Sequence, residues 1–481
     1  MAQPLTTVRH LHVSQDPLVL VPLKMAGEAG APMAAMVGTD RANPHLLTVA
    51  QPRNRDQRFD FMHQLARIML AEIVRKEQRR APVKGGARPE WRCLDAVQIW
   101  VPNRAGVELV RLLGRSTRFR RPVGPYPVPG NVPTLGKWLT HYADRALYAG
   151  SDLLVAATSA LSAHWATGQS AVEDEHLGSL LAWIQPPDGQ SGADAADAAE
   201  DPLENPPAGP STDPGFDNTV LARLVERYQR SGSDEAERAQ VERLIREQLR
   251  TQLVGAWTHT WTAIDLLAQQ PPGGHVADRW SRELAQFTRT ADWIAQGTTA
   301  QPKRDSAVVA ARHLHQLEEA QANYDAERAL DDPLVMAESR LAGEAFVGEV
   351  IKTFPSRRVG KSKRPRIIVE TDDPVRLLEG ETGLRSPRRP KQKAELIEPP
   401  ARSESGRLRL LLELSEGMGN RREPEPGSLP SEGEEVTYSL FDSEYRTRPR
   451  LPAPEHTPWT HGGPREPRVT VTDEDSREDW S

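Results

Sequence analysis

The chain changes its hydrophobic periodicity several times, and each change marks an expected boundary. Between residues 18 and 50 three short apolar runs, LVLVPL, PMAAMVG and HLLTVA, are separated by Pro, Gly, Asn and Asp, the pattern of strands joined by tight connections. In RDQRFDFMHQLARIMLAEIVRKEQRR, residues Phe59, Met62, Leu65, Ile68, Met69 and Ile73 recur every three or four positions and predict an amphipathic helix. DAVQIWVP then reads as a buried strand, and RAGVELVRLLG as a short helix ending at Gly114. Residues 1–120 are therefore expected to form a small α/β domain of order β-β-β-α-β-α.

The prolines of RRPVGPYPVPGNVP remove backbone donors and fix φ, which predicts a stiff surface loop leading into a helix capped by Thr134. Residues 121–185 read as a helical segment, with apolar positions running from Leu135 and Trp138 to Leu181 and Ile184. The acidic stretch 186–216, almost free of large apolar side chains, predicts a flexible linker. Residues 217–345 carry long helical patterns joined by the short turns SGS, PPGG and GTTAQPK, and predict a bundle of long helices. Over 346–446 the runs RIIVE, AELIE, RLRLLLEL and EVTYSLF alternate with turn residues and predict a small β-barrel-like module. The tail 447–481, rich in Pro and charge, is expected to be disordered, with HTPWTHGGP able to dock back through Trp459. The expected fold class is α+β multidomain, with a small α/β domain, a mainly helical middle, a β-barrel-like module and a disordered tail.

Composition sharpens this picture in three ways. The 41 prolines and 34 glycines of the 481 residues gather in a few stretches, which are the expected linkers. A single cysteine, Cys93, excludes an internal disulfide framework and a zinc site built from several thiolates, and fits a reducing cytoplasm. No window is apolar over the length needed to cross a bilayer, so a soluble, cytoplasmic protein is expected. The net charge of -6 conceals an asymmetry: residues 352–393 hold 13 Lys and Arg against 5 Asp and Glu, a local balance of +8.

Four stretches could carry chemistry. HWATGQSAVEDEHLGSLLAWI places His164, Glu173, Asp174 and His176 close together, a set that could ligate a metal. The same residues also read as a helix junction, with Gly168 as a left-handed terminator and Ser170 and Glu173 as a capping box. GNVPTLGKW has five residues between Gly130 and Gly136 and Trp138 where a phosphate-binding loop needs a hydroxyl, so a nucleotide site is not expected there. His313 and His315, two apart on a helix, face different sides and cannot chelate together. The fourth stretch is the basic island, whose clusters FPSRRVGKSKRPRIIVE and RSPRRPKQKAELIE both lead into strands. Arg357, Arg358, Lys361, Lys363, Arg364, Arg388, Arg389, Lys391 and Lys393 are the expected phosphate contacts, with Phe354, Tyr438, Phe441 and Tyr445 as stacking or core aromatics.

The strand and helix order of residues 18–103, with Gln64 in HQLARIML, resembles the core of PD-(D/E)xK nucleases. That resemblance implies a first acid near the second strand, for which Asp40 is placed, and an acid-x-Lys on the third. HLLTVAQP has neither, so the fold is implied without its catalytic centre. TGQSAVEDEHLGSLLAWI and HTPWTHGGP resemble stretches of uncharacterised proteins of high-GC actinobacteria. Long helices feeding a small barrel resemble the stalk and barrel inserted in some superfamily-one helicases, which implies a role beside a separate motor, since no ATPase motif is present here.

The sequence therefore favours a non-enzymatic nucleic-acid-binding or adaptor protein, without cofactor, whose partners are DNA or RNA and a protein held by the helical bundle. A metal-dependent or degenerate nuclease-like enzyme and a protein-binding helical scaffold are the alternatives.

Overall fold

The computed structural model describes residues 1–481 except 26–27, 29, 84–89, 202–204, 207–208, 298–304, 361, 420–423, 442–449, 454–455 and 458–481. Most of the expected tail, with Trp459 and Tyr445, lies outside the described residues. The chain is α+β and divides into two units, one built on residues 9–317 and one on residues 318–450. Among the described residues no helix is long and apolar enough to cross a membrane.

In the first unit, β1 (Leu18–Lys24), β2 (Pro32–Gly38) and β3 (His45–Thr48) form an antiparallel meander, as the three apolar runs predicted. The helix α1 (Arg55–Glu77) starts where Asn54 accepts hydrogen bonds from the backbone N–H groups of Asp56 and Gln57. It buries Phe59, Met62, Leu65, Met69 and Ile73 on one stripe, while Ile68 packs at its margin. A hairpin of β4 (Arg80–Val83) and β5 (Glu90–Cys93) follows, which the periodicity did not reveal. Next come β6 (Ile99–Val101), α2 (Arg104–Thr117), α3 (Asn131–Arg145) and β7 (Leu154–Ala156). The sheet order is β3-β2-β1-β6-β7, with β6 and β7 parallel to β1.

Both faces of this sheet are covered. Leu18, Leu20, Ala35 and Val37 pack beneath α1, α2 and α3, joined by Trp280 and Phe287 of α9 (Val276–Ala295). Val19, Val21, Ala34 and Met36 face the other way, into a core shared with α4 (Ala157–Ser162), α5 (Leu177–Ile184), α7 (Ala222–Arg230) and the 35-residue α8 (Glu235–Gln269). The long helices of the middle region thus share cores with the sheet. Their amphipathic stripes found it because a strand as apolar as LVLVPL needs cover on both sides.

Four local expectations are corrected. Residues 134–184 are not continuously helical: Leu154 belongs to β7, an apolar run too short for periodicity to assign. The acidic stretch 186–216 holds α6 (Gly192–Glu200), capped by Ser191 and seated through buried Ala195 and Ala196. There alanine supplies helix propensity with side chains small enough for close packing. The helix α3 begins at Asn131 behind Gly130, so Thr134 lies inside it and caps nothing. Gly114 does not end α2 but lies within it. A Cβ there would come 2.6 Å from the Thr140 backbone nitrogen, and one at Gly136 would come 2.4 Å from that of Arg118. The two glycines are the contact point at which α2 and α3 cross.

In the second unit, α10 (Ala307–Asp331), which begins in the first, leads to α11 (Pro333–Ala342) and then to strands alone. These are β8 (Ala345–Phe354), β9 (Arg366–Thr371), β10 (Thr382–Ser386), β11 (Arg389–Leu396), β12 (Leu408–Ser415) and β13 (Glu435–Ser439). Their order, β9-β8-β13-β10-β11-β12, returns to β9 by a β9–β12 pairing and closes a six-stranded antiparallel barrel. Its interior alternates along the strands, with Ile367 and Val369 on β9 and Leu410, Leu412 and Leu414 on β12.

The glycine crossing predicts opposite signs for two identical exchanges. Gly136→Ala should destabilise the protein by about 1–3 kcal/mol, because backbone on the facing helix cannot yield as a flexible side chain would. Gly255→Ala, inside α8 with nothing within 4 Å of the added methyl, should stabilise it by about 0.5–1 kcal/mol. Denaturant midpoints of the two variants check the contrast, and equal shifts would refute the crossing argument.

Candidate nucleic-acid interface on the barrel

The basic clusters occupy two connections of the barrel. Arg357, Arg358, Lys363 and Arg364 lie between β8 and β9, where Arg358–Val359 pairs with Ser362–Lys363 in a tight hairpin. Arg388 and Arg389 turn the chain from β10 into β11, which carries Lys391 and Lys393. Lys361 lies outside the described residues.

Closure of the barrel answers many of these charges with carboxylates. Arg366 stands opposite Glu413 in the β9–β12 register and Glu370 opposite Arg409, and both pairs form ion pairs, at 2.9 Å each. Glu413 also lies 3.4 Å from the Arg357 guanidinium. Arg389 grips Glu434 with two N–H donors, at 2.8 and 3.1 Å, and this fork holds the Glu434 carboxyl below its ordinary range. Lys393 pairs with Glu416 at 2.9 Å, and Arg388 donates to the Glu435 carbonyl. The Lys363 ammonium donates to the carbonyls of Met418 and Gly419, in a turn where Glu416 and Gly417 adopt left-handed φ of 59° and 63°. Lys363 therefore braces that turn.

Some members of the island stand outside these pairs. Arg364 and Lys391, from different sequence clusters, line one concavity of about 790 Å³ together with the hydroxyl-bearing Ser362 and Ser415. Among the described residues neither forms an ion pair. Glu416, already held by Lys393, also lines it. An adjoining concavity of about 560 Å³ is lined by Arg357 and Arg358, and Lys363 borders both. Cationic donors beside hydroxyls suit phosphate oxygens.

The aromatics divide. Tyr438 is fully buried against Phe346 in the barrel core and cannot stack a base; Phe441 is half-buried in a small cluster with Met336. Phe354 is partly exposed, beneath the Lys352 ammonium.

The alternative metal set is not brought together. His164 is buried, its Nδ1 2.7 Å from the Ala160 carbonyl and its Nε2 accepting from the His10 N–H. Asp174 accepts from the Thr167 hydroxyl, and His176 caps α5 by accepting from the Ser179 N–H through Nδ1. Ser170 and Glu173 form the expected reciprocal cap, around a single 3₁₀ turn at Glu173–Glu175. Gly168 is not left-handed; it makes room for the Trp183 ring, which a Cβ would meet at 2.6 Å. Among the described residues no group of three His, Cys, Asp or Glu side chains is placed to hold a metal. The nuclease-like acid Asp40 sits exposed in a turn, bonded to Asn43 and Ala42, while Gln64 donates to Asp60 on the surface of α1. The third strand carries no acid or lysine.

Sequence reading missed the acids that neutralise the island. Their signal was present: residues 395–435 hold 10 Asp and Glu against 5 Lys and Arg. It also missed Asp152 in the first unit, fully buried and accepting the His12 N–H at 2.8 Å. No family model, curated protein or solved structure matches the chain.

Burial pushes the Asp152 carboxyl up to about 7, against the opposing pull of that hydrogen bond and of Arg279. A raised acid keeps a proton that the unfolded chain has lost, so its contribution to stability falls as pH rises from about 4 to 7. His12, held down to about 4 by burial where it stacks on Trp280, contributes the opposite slope over much of that window. Asp152→Asn keeps an acceptor for the His12 N–H and should isolate the acid. The stability of the variant relative to wild type should rise between pH 4 and 7, by on the order of a few kcal/mol, and level off above. A pH-independent difference in urea unfolding would show that Asp152 is ionised throughout.

Proposed function

We propose that the protein is a non-catalytic nucleic-acid-binding adaptor whose barrel holds backbone phosphates of DNA or RNA. The observation that supports this most directly is the convergence of Arg364 and Lys391 on one concave surface, with Ser362 and Ser415 beside them. Arg358 and Arg388 extend the cationic rim, whereas Arg357, Arg389 and Lys393 chiefly hold the barrel together through Glu413, Glu434 and Glu416. Backbone contact of this kind draws affinity from counterion release and carries no sequence code. The protein would then act beside a separate enzyme that works on the same nucleic acid.

The test uses the full chain and labelled single- and double-stranded oligonucleotides at low salt. Arg364→Glu with Lys391→Glu should weaken binding at least tenfold and reduce the slope of log affinity against log salt by about two, one for each phosphate released. Arg243→Glu with Arg246→Glu, exposed on α8, should weaken it less than threefold. Equal losses from the two pairs would mean diffuse attraction, and undetectable binding by the wild type would refute the reading.

A further inference from the structure

The barrel island is not the only basic stretch. From Leu109 to Ala143 the chain has no acid and carries Arg111, Arg115, Arg118, Arg120, Arg121 and Lys137. The exposed Asp144 feels the charges of Arg118, Arg111 and Arg115. Arg120 and Arg121 open the proline-rich loop that links α2 to α3.

That loop is shaped from its own backbone. The Val128 N–H donates to the Arg121 carbonyl at 3.0 Å and closes it, and Gly124 turns it at a φ of 107°. Arg55, from the first turn of α1, donates to the carbonyls of Tyr126 and Pro127 at 3.0 and 3.3 Å. Pro122, Pro125, Pro127 and Pro129 restrict what remains. This held loop presents two large side chains to water: Tyr126 is 66% exposed and Val123 75%. The Arg55 guanidinium stacks 4.7 Å from the Phe59 ring and reaches to 5.9 Å from that of Tyr126, and Arg120 covers Phe59 at 5.4 Å. Asp56 is ion-paired to Arg55 at 3.0 Å.

An exposed tyrosine ring on a rigid loop, bordered by the Arg55 guanidinium, has the two elements by which proteins hold single strands: a face for an unpaired base and a cation for a flanking phosphate. We propose that this loop binds single-stranded nucleic acid, with one unpaired base stacked on Tyr126 and the adjacent phosphate met by Arg55. A proline-recognition partner fits less well, because Gly124 and the Arg121–Val128 closure break the extended helix that such partners grip. The inference stands on residues of the first unit and does not depend on the barrel.

The experiment uses the full chain carrying Arg364→Glu and Lys391→Glu, so that binding through the barrel is weakened. Affinity for a labelled oligothymidylate is compared with that for a duplex, and 4-thiothymidine crosslinks are mapped by mass spectrometry. Tyr126→Ala should weaken single-strand binding roughly five- to a hundredfold, the loss of one base–ring stack. Tyr126→Phe should restore it, duplex binding should change little, and crosslinks should fall within residues 120–128. Alanine keeps the hydrogen bonds that shape the loop, since Arg55 bonds the carbonyl of residue 126, and near-ultraviolet circular dichroism checks that the fold persists. An unchanged affinity in Tyr126→Ala, an equal loss on duplex, or crosslinks confined elsewhere would overturn the proposal. So would the absence of any residual binding in the barrel variant, which would leave the barrel reading intact.

Discussion

Strand β1 imposes the constraint from which the first unit follows. Leu18 and Leu20 point to one face of the sheet, Val19, Val21 and Leu23 to the other, and every one of them is at most 2% exposed. A strand with hydrocarbon on both faces cannot border water on either. The meander strand β2 and the parallel strand β6 satisfy its edges, and two helical layers its faces. One layer is the local α1, α2 and α3, and the other comes from distant sequence, chiefly α8. This explains why α8 is so long and yet buries only a stripe, with Val241, Ile245, Leu249 and Leu253 recurring at four-residue spacing. Polar groups caught between the layers had to be satisfied there. Gln98 does so by taking the Trp100 indole N–H and the Ser14 N–H on one oxygen and giving its amide to the carbonyls of His12 and Asp152.

The barrel obeys a different constraint, closure, and closure determines what its charges are free to do. When β12 returns beside β9, residues of opposite charge from the two halves of the module land opposite one another, so part of a one-dimensional excess of +8 is answered by ion pairs. Such pairs at a partly exposed surface add little stability each but fix register, since a slip by one residue would set Arg366 and Glu370 against leucines of β12 and turn the core face of the strand outward. What closure leaves outside ion pairs, among the described residues, includes Arg364 and Lys391. A charge count along the sequence measures supply, and the fold decides availability.

How much was legible follows the same division between local and distant causes. The three meander strands, α1, the long helices and the barrel strands all announced themselves, because each has a repeated apolar spacing over enough residues to fix its type. The capping box at Ser170 and Glu173 was readable for the same reason, being local. What failed were residues whose role is set by a neighbour far along the chain. Gly114 and Gly136 looked like a helix end and a failed phosphate loop, but each is small because the other helix passes over it. Gly168 looked like a terminator, but Trp183 fills the space above it. His164 looked like a ligand, but His10, 154 residues away, uses its ring nitrogen. For the candidate site, the residue types and both clusters were visible, while the carboxylates that claim Arg357, Arg389 and Lys393 showed only as an acidic excess further along the chain, with nothing local to pair them.

The two glycines also bear on why an exposed loop should be trusted with a ring. A loop between two helices is only as fixed as the angle at which they meet, and at this crossing the backbones approach as closely as a missing Cβ allows. Such a contact has little freedom to slide, because any rotation drives backbone into backbone. The ends of the loop, Arg118 at the last turn of α2 and Asn131 at the start of α3, therefore inherit the rigidity of a double-covered sheet. Asn131 is held a second time, its side chain bonded to the ring nitrogen and the carbonyl of His63 on α1. Tyr126 is thus displayed by a scaffold that has already lost the entropy a flexible loop would surrender on binding, which is the physical circumstance in which one stacked base contributes its full share to affinity.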